Sequence, residues 1–108
     1  MRYSGSQQLV QSLVDTLNAP FCLSWGAKDL FDDDHHLNCG SHGVYGSRAA
    51  NLTVQNCDFM LILGSRLDTR QTGGSLPKFA PGAKKVMVDI DSEEIGKLVE
   101  KGCSIDLP

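Results

Sequence analysis

Three glycines, Gly40, Gly43 and Gly46, recur at intervals of three residues and lead directly into Ser47, a residue type that caps helices. Free backbone N–H groups and the positive end of a helix would meet there, and that combination suits a phosphate. The spacing is not the G-x-G-x-x-G fingerprint of dinucleotide sites, so plain turn geometry is the competing reading. His42 and Arg48 can add donors; equally, they can serve as a loop histidine bonded to a carbonyl and a solvated first-turn arginine. The stretch from Gly64 through Arg66, Asp68 and Arg70 to Gly73 carries two guanidiniums, whose planar forks grip phosphate or carboxylate. An ion pair from Arg66 to Asp68 or Asp89 is the alternative there. In Val88-Asp89-Ile90-Asp91 a carboxylate can accept ribose hydroxyls, while Asp91 can instead cap a helix.

Other constellations carry less. Asp32-Asp33-Asp34-His35-His36 has metal-ligand residue types, but adjacent residues do not generally converge on one ion and no second cluster completes the set. A solvated acidic loop is the better reading. Cys22, Cys39, Cys57 and Cys103 form no C-x-x-C pair and read as buried thiols. No serine or cysteine sits in a nucleophile-elbow pattern, so no catalytic residue is assigned. Trp25 and Tyr45 can stack on a ligand ring or simply pack.

These residues hang on an alternation of helices and strands. Leu9, Val10, Leu13, Val14 and Leu17 recur at helical spacing behind Ser4 or Ser6 as cap. Pro20 to Ser24 is a short apolar strand. Trp25 to Tyr45 has no sustained period and reads as loop with one helical turn and one short strand. Ser47 starts a helix that ends near Asn56, and Phe59 to Leu63 is apolar throughout, as a strand covered on both faces must be. Ser65 to Lys84 is a long loop, Lys85 to Ile90 a strand, and Ser92 the cap of a helix that Gly102 stops. Cys103 to Asp106 is a candidate last strand. Such a pattern specifies a parallel sheet with helices on both sides and ligands at the strands' C-terminal ends.

Length and composition set the bounds. The 108 residues fit one domain, 41% apolar and 21% charged residues are ordinary for a globular fold, and the net charge of -3 disfavours nucleic acid. No segment is apolar enough for a signal peptide or a membrane span, which points to the cytosol.

In order and spacing, Ala19-Pro20, Trp25 to Leu30, Asp34-His35, the Gly40 to Gly46 loop, Ala49-Ala50-Asn51, Gln55 to Asp58, Gly64 to Gly73, Phe79 to Ala83 and Val88 to Asp91 resemble the central domain of acetolactate synthase-like thiamine-diphosphate enzymes. The resemblance covers nearly the whole chain. It implies a Rossmann-like three-layer α/β/α fold, residues 1–108 forming one N-terminally truncated central domain without its own catalysis. In the complete enzyme, thiamine diphosphate and Mg2+ lie between two other domains across a dimer interface. Some members hold FAD or an adenine nucleotide in the central domain, and the matching positions are Gly40, His42, Gly43, Gly64, Arg66, Asp89 and Ile90. The remaining domains of a parent 2-keto-acid enzyme are the implied partners. A stand-alone nucleotide-binding module, or a gene fragment without function, is the alternative.

The resemblance also implies that the family's first strand, central in its sheet, is missing here. Its neighbours would be the strands at Pro20 to Ser24 and Phe59 to Leu63. Bare strand edges are costly, so these two are expected to pair directly, or to be bridged by a second copy in a homodimer.

Overall fold

The structure, a computed structural model, describes residues 4–108. Helix α1 (Gln7–Leu17) ends at Asn18, which takes the left-handed conformation (φ 47°) and donates its N–H to the Val14 carbonyl. Strand β1 (Phe21–Leu23) follows, then a 3-10 helix (Trp25–Leu30), strand β2 (Asn38–Ser41) and helix α2 (Arg48–Asn56). Strand β3 (Phe59–Leu63), a short helix α3 (Thr69–Thr72), a 3-10 turn (Leu76–Lys78), strand β4 (Lys84–Val88) and helix α4 (Ser92–Glu100) complete the order. The chain is thus an α/β domain with parallel strands, and the region expected to be unstructured between Ser65 and Lys84 contains two short helical turns.

Capping follows side-chain chemistry closely. The Ser47 Oγ accepts from the Ala50 N–H, as expected. Asp91, rather than Ser92, caps α4 by accepting from the Glu93 N–H, and Ser92 is already helical. A carboxylate at a helix N-terminus gains from the dipole as well as the hydrogen bond, which favours Asp91. Ser6 precedes α1 without a side-chain cap bond, and its Oγ accepts from the Ser4 hydroxyl at 2.9 Å.

The sheet departs from expectation. β1 pairs parallel with β2, and β3 pairs parallel with β4 from Phe59↔Lys84 to Leu63↔Val88, but β1 and β3 do not pair. Two half-sheets stand on either side of a cleft of about 230 Å³, bordered by Phe21 to Leu23 on one side and Phe59 to Leu63 on the other. Direct closure is therefore corrected. Val10 and Val14 of α1, together with Leu67 and Phe79, line this cleft, so the two strand edges face apolar side chains rather than each other. The expected last strand is also reduced. Its trace is a single parallel bridge, Val86↔Leu107, with the Met87 N–H donating to the Leu107 carbonyl at 2.8 Å.

The core belongs to one half. Ile62, Phe79, Ala80, Met87, Leu98 and Cys103 cluster around β3 and β4. Lys85 is buried among them, its Nζ donating to the carbonyls of Ala80 (2.8 Å) and Ala83 (3.2 Å) and so fixing the turn that precedes β4. On the β1–β2 side only Leu23 and Ala50 are buried among the described apolar residues, and Phe21, Phe31 and His35 form a small aromatic cluster. Met87→Ala should cost about 2–5 kcal/mol by urea unfolding, because the thioether is fully enclosed. The same truncation at exposed Leu9 should stay within about 0.5 kcal/mol.

Candidate functional site

The C-terminal ends of β1 and β2 and the segment after β3 come together around His42. A cleft of about 420 Å³ is bordered there by Ser24, Trp25, His42, Tyr45, Asp68 and Arg70. His42 is 9% exposed, and its Nδ1 has no hydrogen-bond partner among the described residues. Burial lowers its pKa below 6.5, against the opposing pull of the Leu23 carbonyl and the Asp68 carboxylate. The ring is therefore neutral at pH 7, and one ring nitrogen is left as an unused polar atom. Trp25 and Tyr45 meet edge to face with centroids 6.1 Å apart, both largely exposed, and the Lys28 ammonium sits 5.4 Å from the Trp25 ring centre.

The glycine loop is built for contact more than for donation. The Gly40 N–H donates to Asn38 Oδ1, the Gly46 N–H to the Gly43 carbonyl and the Ser47 N–H to the Ser41 carbonyl. Asn51 clamps Gly43 from both sides, its Oδ1 accepting from the Gly43 N–H at 2.7 Å and its Nδ2 donating to the Gly43 carbonyl at 2.9 Å. The Val44 N–H reaches across to the Arg70 carbonyl at 2.7 Å. These donors are spent inside the protein, so the phosphate cradle suggested by the glycine spacing is not laid open by the loop itself. What the glycines permit is close packing. A Cβ on Gly43 would lie 2.6 Å from the Arg70 carbonyl oxygen, and one on Gly46 2.5 Å from that of Ser41.

The remaining sequence-predicted positions stand apart from His42. Gly64 turns the chain after β3 with φ 57°, its N–H donating to the Val88 carbonyl. Arg66 holds neither Asp68 nor Asp89. Its Nε and Nη2 donate in a fork to the Glu94 carboxylate at 3.1 and 3.0 Å, and Lys97 donates to the same group at 2.7 Å. The hydrogen bonds from Arg66, then Lys97, push the Glu94 pKa down to about 2. Asp68 caps α3 through the N–H groups of Arg70 and Gln71. Asp89 accepts from the Asp91 N–H, and Ile90 beside it is fully exposed. The pairing of Arg66 with Glu94 spans 28 residues of chain, so spacing along the sequence does not reveal it. His35 is explained by packing on Phe21 and Phe31 and by accepting the Leu37 N–H at Nδ1. Among the described residues no group of three or more His, Cys, Asp or Glu side chains is placed to hold a metal ion.

Two outcomes follow from this geometry. Gly43→Ala and Gly46→Ala should each destabilise the domain by more than about 1 kcal/mol in urea, since backbone oxygens occupy the space a methyl needs. Arg66→Ala should raise the Glu94 pKa from about 2 toward 4.5, followed by NMR titration. With a folded pKa below the unfolded one, the ion pair stabilises above about pH 4.5, and that contribution is lost as pH falls toward 2.

Comparison with known proteins agrees with the resemblance read in the sequence. The probable acetolactate synthase large subunit of Methanocaldococcus jannaschii is 38% identical over 96 residues, which is 89% of this chain and 16% of that protein. The acetolactate synthase of Mycobacterium leprae is 39% identical over 97 residues, 90% of this chain and 15% of that protein. The acetolactate synthase large subunit of Pyropia yezoensis is 38% identical over 94 residues, 87% of this chain and 16% of that protein. The chain thus spans about 16% of the length of the curated relatives it matches. Residues 1–105 match the family described as thiamine pyrophosphate enzyme, central domain, and the chain belongs to that family.

Proposed function

We propose that this chain acts as the non-catalytic central domain of an acetolactate synthase-like thiamine-diphosphate enzyme, with a nucleotide site for FAD or ADP at its C-terminal strand ends. The observation that carries the reading is the family match over residues 1–105, joined to a buried, partnerless His42 Nδ1 beside an open cleft. In this reading the fold is a Rossmann-like three-layer domain lacking its first strand, and the two half-sheets with a cleft between them support it.

The residues fit a nucleotide in part. His42 would orient the ligand, and Gly40 and Gly43 would act indirectly, by letting the loop pack closely on Ser47 and Arg70 beside it. The exposed Ile90 offers an apolar surface beside the Asp89 carboxylate, which suits a sugar with its hydroxyls. Arg66, next to the Gly64 turn, is 73% exposed and would leave Glu94 to reach a phosphate. The nucleotide would supply ordering of the loops, with no reacting group of this chain required. Thiamine diphosphate and Mg2+ would be bound by other domains of a longer, cytoplasmic enzyme, whose keto-acid carboligation or decarboxylation this domain would support by holding those domains in place. Among the described residues no helix is long and apolar enough to cross a membrane.

The purified chain with pyruvate, thiamine diphosphate and Mg2+ should show no acetolactate formation and no decarboxylation; thiamine-dependent turnover would end the reading. Titration calorimetry with FAD and ADP tests the site. Saturable binding should weaken by about 1–3 kcal/mol in His42→Ala and by about 1.5–3 kcal/mol in Arg66→Ala. Absence of binding would leave a purely structural domain, whereas tight binding of NAD as well would favour a stand-alone nucleotide module.

A further inference from the structure

Two thiols lie side by side on the face of the β1–β2 half-sheet that α2 covers. Phe21 and Asn38 are register partners and therefore point to one face, where the Phe21 ring packs on Phe31 and His35. Side chains alternate along a strand, so Cys22 and Cys39, each one residue further on, point to the other face. In keeping with that direction, the Cys22 Sγ donates to the Ala50 carbonyl of α2. Neighbouring strands run about 4.7–4.9 Å apart, inside the roughly 4.4–6.8 Å between Cα atoms that a disulfide spans. The parallel register slips between Phe21 and Leu23, so the ladder is irregular at the residue that faces Cys39.

Little holds these sulfurs where they are. The Cys22 contact with Ala50 is 3.7 Å long and that of Cys39 with the Leu37 carbonyl 3.9 Å, whereas Cys57, just after α2, donates to its own helix at Val54 over 3.1 Å. The Cys22 thiol is pushed up to about 12, first by burial, then by the charge of Cys39 and a hydrogen bond with it, and last by the charge of Cys57. A thiolate is therefore unwelcome at Cys22, while a disulfide carries no charge and leaves no donor to satisfy. Cys22 and Cys39 are both half-buried and both free, so a small oxidant can reach the pair. Cys103 is buried in the other half, in the core around β3 and β4.

We propose that Cys22 and Cys39 form an oxidation site, at which hydrogen peroxide converts the two thiols into a disulfide that ties β1 to β2. Cys39 attacks first, because Cys22 keeps its proton. Its sulfur bonds to one peroxide oxygen, the O–O bond breaks, and the departing hydroxide takes up the Cys39 proton as water, leaving a sulfenic acid. The Cys22 sulfur then bonds to the Cys39 sulfur, the S–O bond breaks, and the second hydroxide leaves with the Cys22 proton as water. Two thiols have lost two electrons and peroxide has gained them. The bond closes a loop that contains the 3-10 helix Trp25–Leu30 and the acidic run from Asp32 to Asp34, and it reinforces the half-sheet where its ladder is irregular.

Peroxide treatment followed by peptide mapping tests the site. The reduced 108-residue chain is oxidised, quenched with an alkylating agent and digested with trypsin. Lys28 stands between Cys22 and Cys39, and Arg48 between Cys39 and Cys57, so the reduced chain releases these cysteines on separate peptides. The oxidised chain should lose about 2 Da, one hydrogen from each thiol, and join the Cys22 peptide to the Cys39 peptide until dithiothreitol parts them. Cys57→Ser should leave that crosslink intact, and Cys22→Ser should leave a sulfenic acid at Cys39 that dimedone captures. Distance along the chain does not favour the pair, since Cys39 lies 17 residues from Cys22 and 18 from Cys57. A crosslink to Cys57 or Cys103, a disulfide formed only between two chains, or sulfinic acid accumulating at Cys39 with Cys22 still free would overturn the proposal. So would survival of all four thiols at a peroxide dose that oxidises free cysteine.

Discussion

The register between β3 and β4 organises this domain. Five consecutive residue pairs in parallel alignment place Ile62 and Met87 on the faces where Phe79 and Leu98 cover them. Burial of that cluster supplies most of the apolar driving force, since the β1–β2 half buries little of its own. Lys85 shows how firmly the arrangement is set. Its chain runs through the core and its ammonium ends on two turn carbonyls, a position tolerable only because those oxygens satisfy it. The β1–β2 half is then held to this core across the Val44–Arg70 hydrogen bond and the Gly43 contact with Arg70, where the absence of a side chain lets two backbones touch.

That dependence explains the form of the candidate site. A glycine loop can offer its N–H groups to a ligand or spend them on its own folding. Here Asn38, Asn51, Ser41 and Arg70 receive them, which ties the loop to its neighbours. What remains for a ligand is the cleft that the loop borders, with a neutral His42 ring inside it and the exposed Trp25 and Tyr45 beside it. Arg66 lies on the far side of the same strand ends, bound to α4 through Glu94. The two clusters belong to one edge of the fold but not to one pocket.

The sequence by itself determined the order of the longer helices and of the strands through β4, the parallel α/β class and the family, because apolar periodicity and capping chemistry act over a few residues and are written locally. Phe59 to Leu63, Ser47 as a cap and the Gly64 turn are all where those rules put them. Tertiary structure alone decided whether β1 and β3 meet, which oxygen each glycine N–H finds, and that Arg66 pairs with Glu94, 28 residues away. The physical reason is that these outcomes depend on competition among partners distant in the chain. A donor's residue type fixes what it can bond, while packing of whole helices and strands fixes which acceptor arrives within reach.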